Sequence, residues 1–544
     1  MTVLARYFHT VRHLRAVQIA GRARLLLPRP RVPIRAAPPP RTVTGPWVAP
    51  VACVPTLVAP DVFRILNVER KCALTQDWRR DDVTKLWLYH LHYFDDLNAR
   101  DAPHRRAWHE AILNRWVADN PPGDGPGWEP YPVSRRIVNW VKWALAGNVL
   151  PVNCRESLAA QARWLMRRLE YHLLGNHLFA NGKALVHVGA YFDGPEADTW
   201  YERGRKIIEG ELREQILADG GHFERSPMYH AAALEDLLDL ANVQRAFGHL
   251  VPLHWVGAQQ RMRSWLRVMC HPDGGISFFN DAAFGMAPEL AELERYAGRL
   301  NLAAPRQDRN PLEVLEPSGY CRMARGPAYV LCDCAPLGPD YLPGHGHADT
   351  LSFEMTLGRQ RLIVNSGTSQ YGVDDERHRQ RGTAAHNTLT LDEQNSSEVW
   401  SGFRVARRAR AQILAASSSA GHTVVEGRHD GYARLPGRNL HVRRWVLDDR
   451  SLRVEDRISG NFRVGDAYFH LHPAVTARLE TDHCLSLSWP GAESIRMTFE
   501  GARRIDIRPG AWHPEFGVAI PNQCIVARLD GSSLVMRLEW GEAC

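Results

Sequence analysis

The sequence predicts an α+β protein of more than one domain, a helical half followed by a half of antiparallel strands. Three observations carry that expectation. From about Ala102 to Leu300 apolar residues recur at helical spacing, as in Ile137, Trp140, Val141, Ala144 and Leu145, or Leu234, Leu237, Leu238, Leu240 and Ala241. After about Pro317 the pattern changes to short alternating runs, including Ala328 to Cys332, Arg361 to Val364 and Asn439 to Leu447. The chain has 544 residues, 44% of them hydrophobic, so two or more ordinary domains can each bury a core.

Residues 1–60 read as a basic arm and a Pro-rich connector. Arg6, Arg12, Arg15, Arg22, Arg24 and Arg29 interrupt every apolar stretch before Pro30, so no secretory signal is evident and a cytoplasmic protein is expected, with the periplasm as the alternative. The segment can still form an amphipathic arm. Pro28 to Pro60, with Pro38-Pro39-Pro40 inside it, reads as extended chain. Residues 61–316 are expected to hold roughly seven to ten helices. Ser226-Pro227 marks a helix start, an N-cap followed by proline at the first helical position. Residues 317–544 are the strand half, where Asp448-Asp449-Arg450 turns one strand into the next.

Net charge is +7, which favours an acidic partner: nucleic acid, an anionic membrane surface or a polyanionic sugar. No zinc finger, P-loop or RNA-recognition signature appears, and the 17 tryptophans do not flank a basic run, which argues against nucleic acid. No run approaches the roughly 20 apolar residues of a membrane helix. The ten cysteines show no Cys-x-x-Cys spacing and read as mostly free thiols.

Chemistry concentrates in three clusters. Gly344-His345-Gly346-His347-Ala348-Asp349 runs into the alternating Leu351 to Met355; if a strand already starts there, both imidazoles face one way, suited to proton transfer or metal binding. Leu174-Gly175-Asn176-His177 sits within helical sequence, although Gly175-Asn176 also fits a helix stop followed by a cap. Asp219 to His230 contains Glu224, Arg225 and Tyr229 and leads into another helix. Arg225 and Tyr229, four apart, would share a helix face. The plainer readings are a core aromatic for Tyr229 and interior or solvated histidines.

With Ala385-His386-Asn387-Thr388 downstream, these segments resemble the heparinase II/III-like polysaccharide lyases, in the same order and from about Trp87 to at least His386. The resemblance implies an incomplete (α/α) toroid followed by an antiparallel β-sandwich, with the active site between them. It also implies cleavage of an acidic, uronate-containing glycan by β-elimination. Three roles are then needed: neutralising the carboxylate beside C5, removing the C5 proton, and protonating the departing oxygen. Asn176, helped by His177, fits the first, His345 the second and Tyr229 the third. A structural zinc is implied on His347, Asn365 and His386, yet Asn365 stands where relatives carry aspartate, and an amide is a weaker ligand. Without metal, His347 and His386 are a hydrogen-bonded scaffold, with Asp349 as an acidic neighbour to orient a ring. Trp128, Tyr131 and Arg136, in a segment that also resembles the family, are expected to line the substrate groove with Arg225 and Glu224, whereas Trp140 and Trp143 read as core. The alternatives are a glycoside hydrolase, which needs two carboxylates about 5 to 10 Å apart, and a non-catalytic glycan-binding or assembly protein of a surface-polysaccharide pathway.

Overall fold

The computed structural model describes residues 3–305, 310–491 and 495–541; Cys544 lies outside them. Two short helices, α1 (Val3–Val11) and α2 (Ala16–Arg24), open the chain. The Pro-rich stretch after them is extended but docked on the body. Pro40 bridges Phe192, the N–H groups of Thr44 and Gly45 reach the Ala246 carbonyl, and the Asn242 amide holds both the N–H and the C=O of Val48.

A small antiparallel sheet, β1 (Leu57–Ala59), β2 (Val62–Ile65) and β3 (Val68–Lys71), precedes the helices. These are α3 (Lys85–Tyr93), α4 (Arg106–Asp119), α5 (Pro130–Leu145), α6 (Val152–Arg167), α7 (Gly175–Tyr191), α8 (Pro195–Gln215), α9 (Pro227–Ala246), α10 (Leu253–Val268) and α11 (Leu290–Arg299). They form the incomplete toroid: α5 packs on α3, α6 and α7, α7 on α8 and α9, and α9 on α10 and α11. Trp116, Trp140, Trp143, Trp255 and Leu234 fill the interior, so Trp140 and Trp143 are core as expected. The α7–α8 crossing is close because it is built on glycine. A Cβ on Gly204 would lie 2.7 Å from the Gly182 carbonyl oxygen, and one on Gly189 2.4 Å from the Tyr201 nitrogen.

The strand half opens as a five-stranded meander, β4 (Leu312–Leu315), β5 (Tyr320–Arg325), β6 (Ala328–Asp333), β7 (Phe353–Leu357) and β8 (Gln360–Ile363). Helix α12 (Asp375–Arg381), β9 (Leu389–Leu391) and the β10 (Val399–Trp400) and β11 (Arg404–Val405) hairpin follow. Then come β12 (Ala411–Ser418), β13 (Thr423–His429), β14 (Leu440–Leu447), β15 (Ser451–Ser459), β16 (Gly465–His470), β17 (Thr476–Thr481), β18 (Cys484–Ser488), β19 (Ile495–Glu500), β20 (Ala502–Trp512), β21 (Ile520–Leu529) and β22 (Ser533–Glu539). An eight-stranded sheet in the order β12-β13-β14-β15-β22-β19-β18-β17 forms one layer. The meander and the β20-β21-β16-β9 sheet form the facing layer, linked by an Ile363–Leu471 bridge. Inward alternation supplies the core, with Trp445, Leu447, Leu452 and Val454 of β14 and β15 all buried. The 448–450 turn joins β14 to β15 as expected. The nine cysteines among the described residues are free thiols.

Candidate active site

The three clusters meet where the toroid joins the strand half. α7 starts at a kink: Leu174 (φ 66°) and Gly175 (φ 56°) are both left-handed, a conformation that costs a leucine about 1–3 kcal/mol. A Cβ on Gly175 would lie 2.2 Å from the Leu342 side chain. The kink puts Asn176 and His177 in the first turn of the helix, so Asn176 is not a cap. Asn176 is half-buried, and its backbone N–H faces the Glu224 carboxylate. His177 Nδ1 lies 3.0 Å from Glu170 Oε1, and Asn181 donates to the other Glu170 oxygen. Burial opposes an imidazolium at His177, but the Glu170 charge outweighs it and the pKa is raised. The Tyr131 ring lies 4.6 Å from the His177 ring, so Tyr131 is at the site.

The Ser226 hydroxyl caps α9 by accepting from the Tyr229 N–H, and donates to the Asp281 carbonyl at 2.5 Å. Tyr229 in this first turn has its ring centroid 4.0 Å from that of His345 and its hydroxyl 2.9 Å from that of Tyr371. Burial, then Tyr371 and the Asp281 charge, hold the Tyr229 phenol well above its ordinary pKa. Glu224 is buried and neither of its oxygens has a well-aligned hydrogen bond; His345 Nε2 is 3.8 Å away. Burial raises its pKa against the pull of His345 and His177.

His345 and His347 lie in a loop, and the strand begins only at Phe353. They converge nonetheless, because one carboxylate binds both: Asp281 Oδ2 accepts from His345 Nδ1 and Oδ1 from His347 Nε2, each at 2.8 Å. Arg377 of α12 donates to both Asp281 oxygens and Thr368 to one. Asp281 is fully buried, yet Arg377 and the two imidazoles hold its carboxyl well below the usual range. His345 is thereby oriented as a catalytic imidazole must be, one ring nitrogen fixed on a carboxylate and Nε2 on the side of Glu224, with the Tyr229 ring packed against the imidazole. Phe403 packs edge-on against its ring.

His347, Asn365 and His386 form a chain: His347 Nδ1 lies 3.3 Å from His386 Nε2, and His386 Nδ1 3.2 Å from Asn365 Oδ1. Among the described residues no three His, Cys, Asp or Glu side chains are grouped to hold a metal, since the third member here is an amide. Burial pushes His347 down to about 4 and His386 to about 3, so both rings are neutral. Two neutral rings cannot supply a proton to both contacts once His347 donates to Asp281, and a cation would satisfy the shortfall. A zinc ion would fit only between His347 Nδ1 and His386 Nε2, with Asn365 on the opposite nitrogen of His386 and outside the donor set, contrary to the expectation; there it would lock the scaffold under His345.

Four expectations are corrected. Trp128 is buried and its indole N–H donates to the Asn120 carbonyl, and Arg136 is buried against the Trp116 face, bonded to Gln161 and the His92 carbonyl; both are interior, not groove. Arg225 (φ 57°) precedes α9 and donates to the Phe223 and Ser318 carbonyls, so it does not share a helix face with Tyr229. Asp349 accepts from the Asn280 N–H and orients no imidazole; Asp281 does that. Sequence reasoning missed Asp281, Arg377, Tyr371 and Glu170. The available signal for Asp281 was its setting in Phe278-Phe279-Asn280-Asp281-Ala282-Ala283, an acid in apolar surroundings that must find partners.

Residues 84–298 match the family description "Heparinase II/III N-terminus" and residues 307–540 "Heparinase II/III-like, C-terminal". FtsZ-localized protein C of Caulobacter vibrioides is 25% identical over 382 residues, 65% of this chain and 64% of that protein. A heparin-sulfate lyase of Bacteroides thetaiotaomicron is 24% identical over 421 residues, 67% of this chain and 58% of the enzyme. The match thus spans less than two thirds of either relative's length. In fold, the chain is similar to heparinase III (TM-score 0.72, 18% identity, 85% of this chain and 79% of that one). It is also similar to heparan sulfate lyase HepC from Pedobacter heparinus (TM-score 0.60, 17% identity, 88% and 80%). With both halves matched in order, the chain belongs to the heparinase II/III-like family.

Proposed function

We propose that the protein is a polysaccharide lyase that cleaves an acidic, uronate-containing glycan by β-elimination. The observation that carries this reading is the Tyr229–His345 pair, rings 4.0 Å apart, with His345 anchored on Asp281 and the Asn176–His177 turn reached across Glu224. The heparin-sulfate lyases among its relatives support it.

Elimination requires that the substrate carboxylate beside C5 be neutralised so that the C5 proton becomes removable. The Asn176 amide and the His177 ring, whose charged form Glu170 favours, supply donors for that group and for the enolate that develops on it. His345 Nε2 takes the C5 proton, and the resulting positive charge is stabilised through Nδ1 by Asp281. Tyr229 gives its proton to the departing C4 oxygen, and Tyr371, 2.9 Å away, is the neighbour from which the phenol can be resupplied. Zinc, when bound at His347 and His386, would supply only rigidity; no proton moves through it.

Paired-carboxylate hydrolysis is disfavoured by Asp281 itself: it is fully buried and saturated by His345, His347, Arg377 and Thr368, so it cannot meet a sugar. The assembly-protein reading has one observation in its favour, the relative named for its localisation with FtsZ. One screen separates the readings. Alginate, heparan sulfate, hyaluronan and bacterial surface glycans are incubated with the protein, and ultraviolet absorbance of a new C4=C5 double bond is followed. Absorbance growth on one of them is expected; none on any acidic glycan, with binding retained, would favour the assembly role.

A further inference from the structure

The N-terminal arm is built the wrong way round for a helix pair lying on a protein. Its polar and small residues face the body. Gln18 is buried, its amide donating to the Leu173 and Tyr341 carbonyls; Gly21 sits on His172, where a Cβ would be 2.8 Å from the backbone nitrogen; and Thr10 accepts from the Trp400 indole. The apolar residues face outward. On α1, Leu4, Phe8 and Val11 recur at i, i+4 and i+7 and are 83%, 60% and 49% exposed, while Ile19 on α2 and Leu25, Leu26 and Leu27 after it are exposed as well.

Charge sharpens the pattern. Residues 1–60 contain nine arginines, no lysine and no acidic residue. Of the 67 basic side chains in the chain, 58 are left to face 60 acidic ones, so the whole positive excess belongs to this segment. Arg15, Arg35 and Arg41 are paired with acids of the toroid. Arg22, Arg24 and Arg29 instead lie near Arg404 and Arg168; burial and then this mutual repulsion lower the pKa of Arg22 and of Arg168. Unbalanced cations beside exposed leucines and a phenylalanine match a surface whose anionic groups lie directly above an apolar layer.

We propose that α1, α2 and the Leu25–Leu27 segment dock on the surface of an anionic lipid bilayer, the apolar face entering the interface and the arginines meeting phosphate groups. No helix among the described residues is long and apolar enough to cross a membrane, so the docking is peripheral. A second copy of the chain is a poorer occupant, since a two-fold contact would set one arginine cluster against the other. An acidic glycan would satisfy the arginines but give the leucines nothing apolar to enter.

The test is flotation of the full chain with phosphatidylcholine vesicles, with and without phosphatidylglycerol, beside soluble heparin capture and the solution mass. Binding is expected only with phosphatidylglycerol, reduced tenfold or more by F8D/L26D and by R22S/R24S/R29S. The altered side chains are exposed, so unchanged thermal melting is expected to show that the body stays folded. Equal binding to neutral vesicles, no loss in F8D/L26D, heparin capture without flotation, or a dimer that F8D/L26D dissolves would each overturn the proposal.

Discussion

Two of the buried charge clusters in this fold are put to different ends. In the toroid, Lys183 Nζ is 2.5 Å from Asp236 and 2.6 Å from Asp239, and Lys142 is 2.5 Å from Asp239. At the junction, Asp281 gathers His345, His347 and Arg377. In the first cluster two cations share facing carboxylates, and it is closed. In the second, His345 keeps Nε2 3.8 Å from Glu224 with Tyr229 packed beside its ring, and its side chain remains 13% exposed. Buried charge by itself therefore does not mark chemistry; an oriented group with one direction left open does.

The comparison breaks most sharply at Tyr229. Tyr229→Phe keeps the ring and its packing and removes only the transferable proton, so turnover is expected to vanish with binding largely intact, read as kcat against KM. Near wild-type turnover would remove Tyr229 from the chemistry. Asn176→Ala and His345→Ala should each lower kcat about a hundredfold or more while the folded protein persists. Early melting with unchanged activity per folded molecule would make either residue structural. In the closed cluster the signs reverse: Lys183→Met strands Asp236 and part of Asp239, costing about 3–5 kcal/mol of stability measured by denaturant titration, with kcat of the folded fraction unaltered. Loss of kcat without loss of stability would mean that this cluster reaches substrate.

Acid should erode both halves, since His386 in the strand half is held as low as the toroid rings. Burial lowers His92, His187 and His230 to about 3 from 6.5, so the folded state holds these rings neutral. Their contribution to stability is intact above pH 6.5 and is lost as pH falls below it, because the unfolded chain takes up protons that the folded one refuses. The depressed carboxyls of Asp239 and Asp281 add a further loss below their ordinary value of 3.8. A denaturation midpoint that stays flat from pH 6.5 to 4 would contradict the neutral rings. The smallest effect is expected at Asn365→Asp, where a carboxylate would accept from His386 Nδ1 and leave its Nε2 a better ligand beside His347. Zinc content and melting temperature should both rise, and elemental analysis showing no gain would leave these rings a hydrogen-bonded scaffold.

The sequence revealed the halves of the fold because periodicity is local, and it revealed Asn176, Tyr229 and His345 because their motifs are contiguous. It did not reveal Asp281, whose partners come from the 345–347 loop and from α12 and which sits in no motif. Trp128 and Arg136 misled because an aromatic beside an arginine has the same composition in a groove and in an interior; the Trp116 face that holds Arg136 comes from another helix. Arg225 was decidable: Ser226-Pro227 already starts the helix after it, so the i−4 relation to Tyr229 could not be helical.

Asp281 also has a mechanical consequence. It belongs to the loop between α10 and α11, while the four side chains it binds all belong to the strand half. It is a rivet through both halves. Separating them would leave a buried carboxylate on one side and an unbalanced guanidinium on the other. With the His271–Glu354 and Arg361–Asp273 pairs, which also join the halves, Asp281 ties the floor beneath His345 to both.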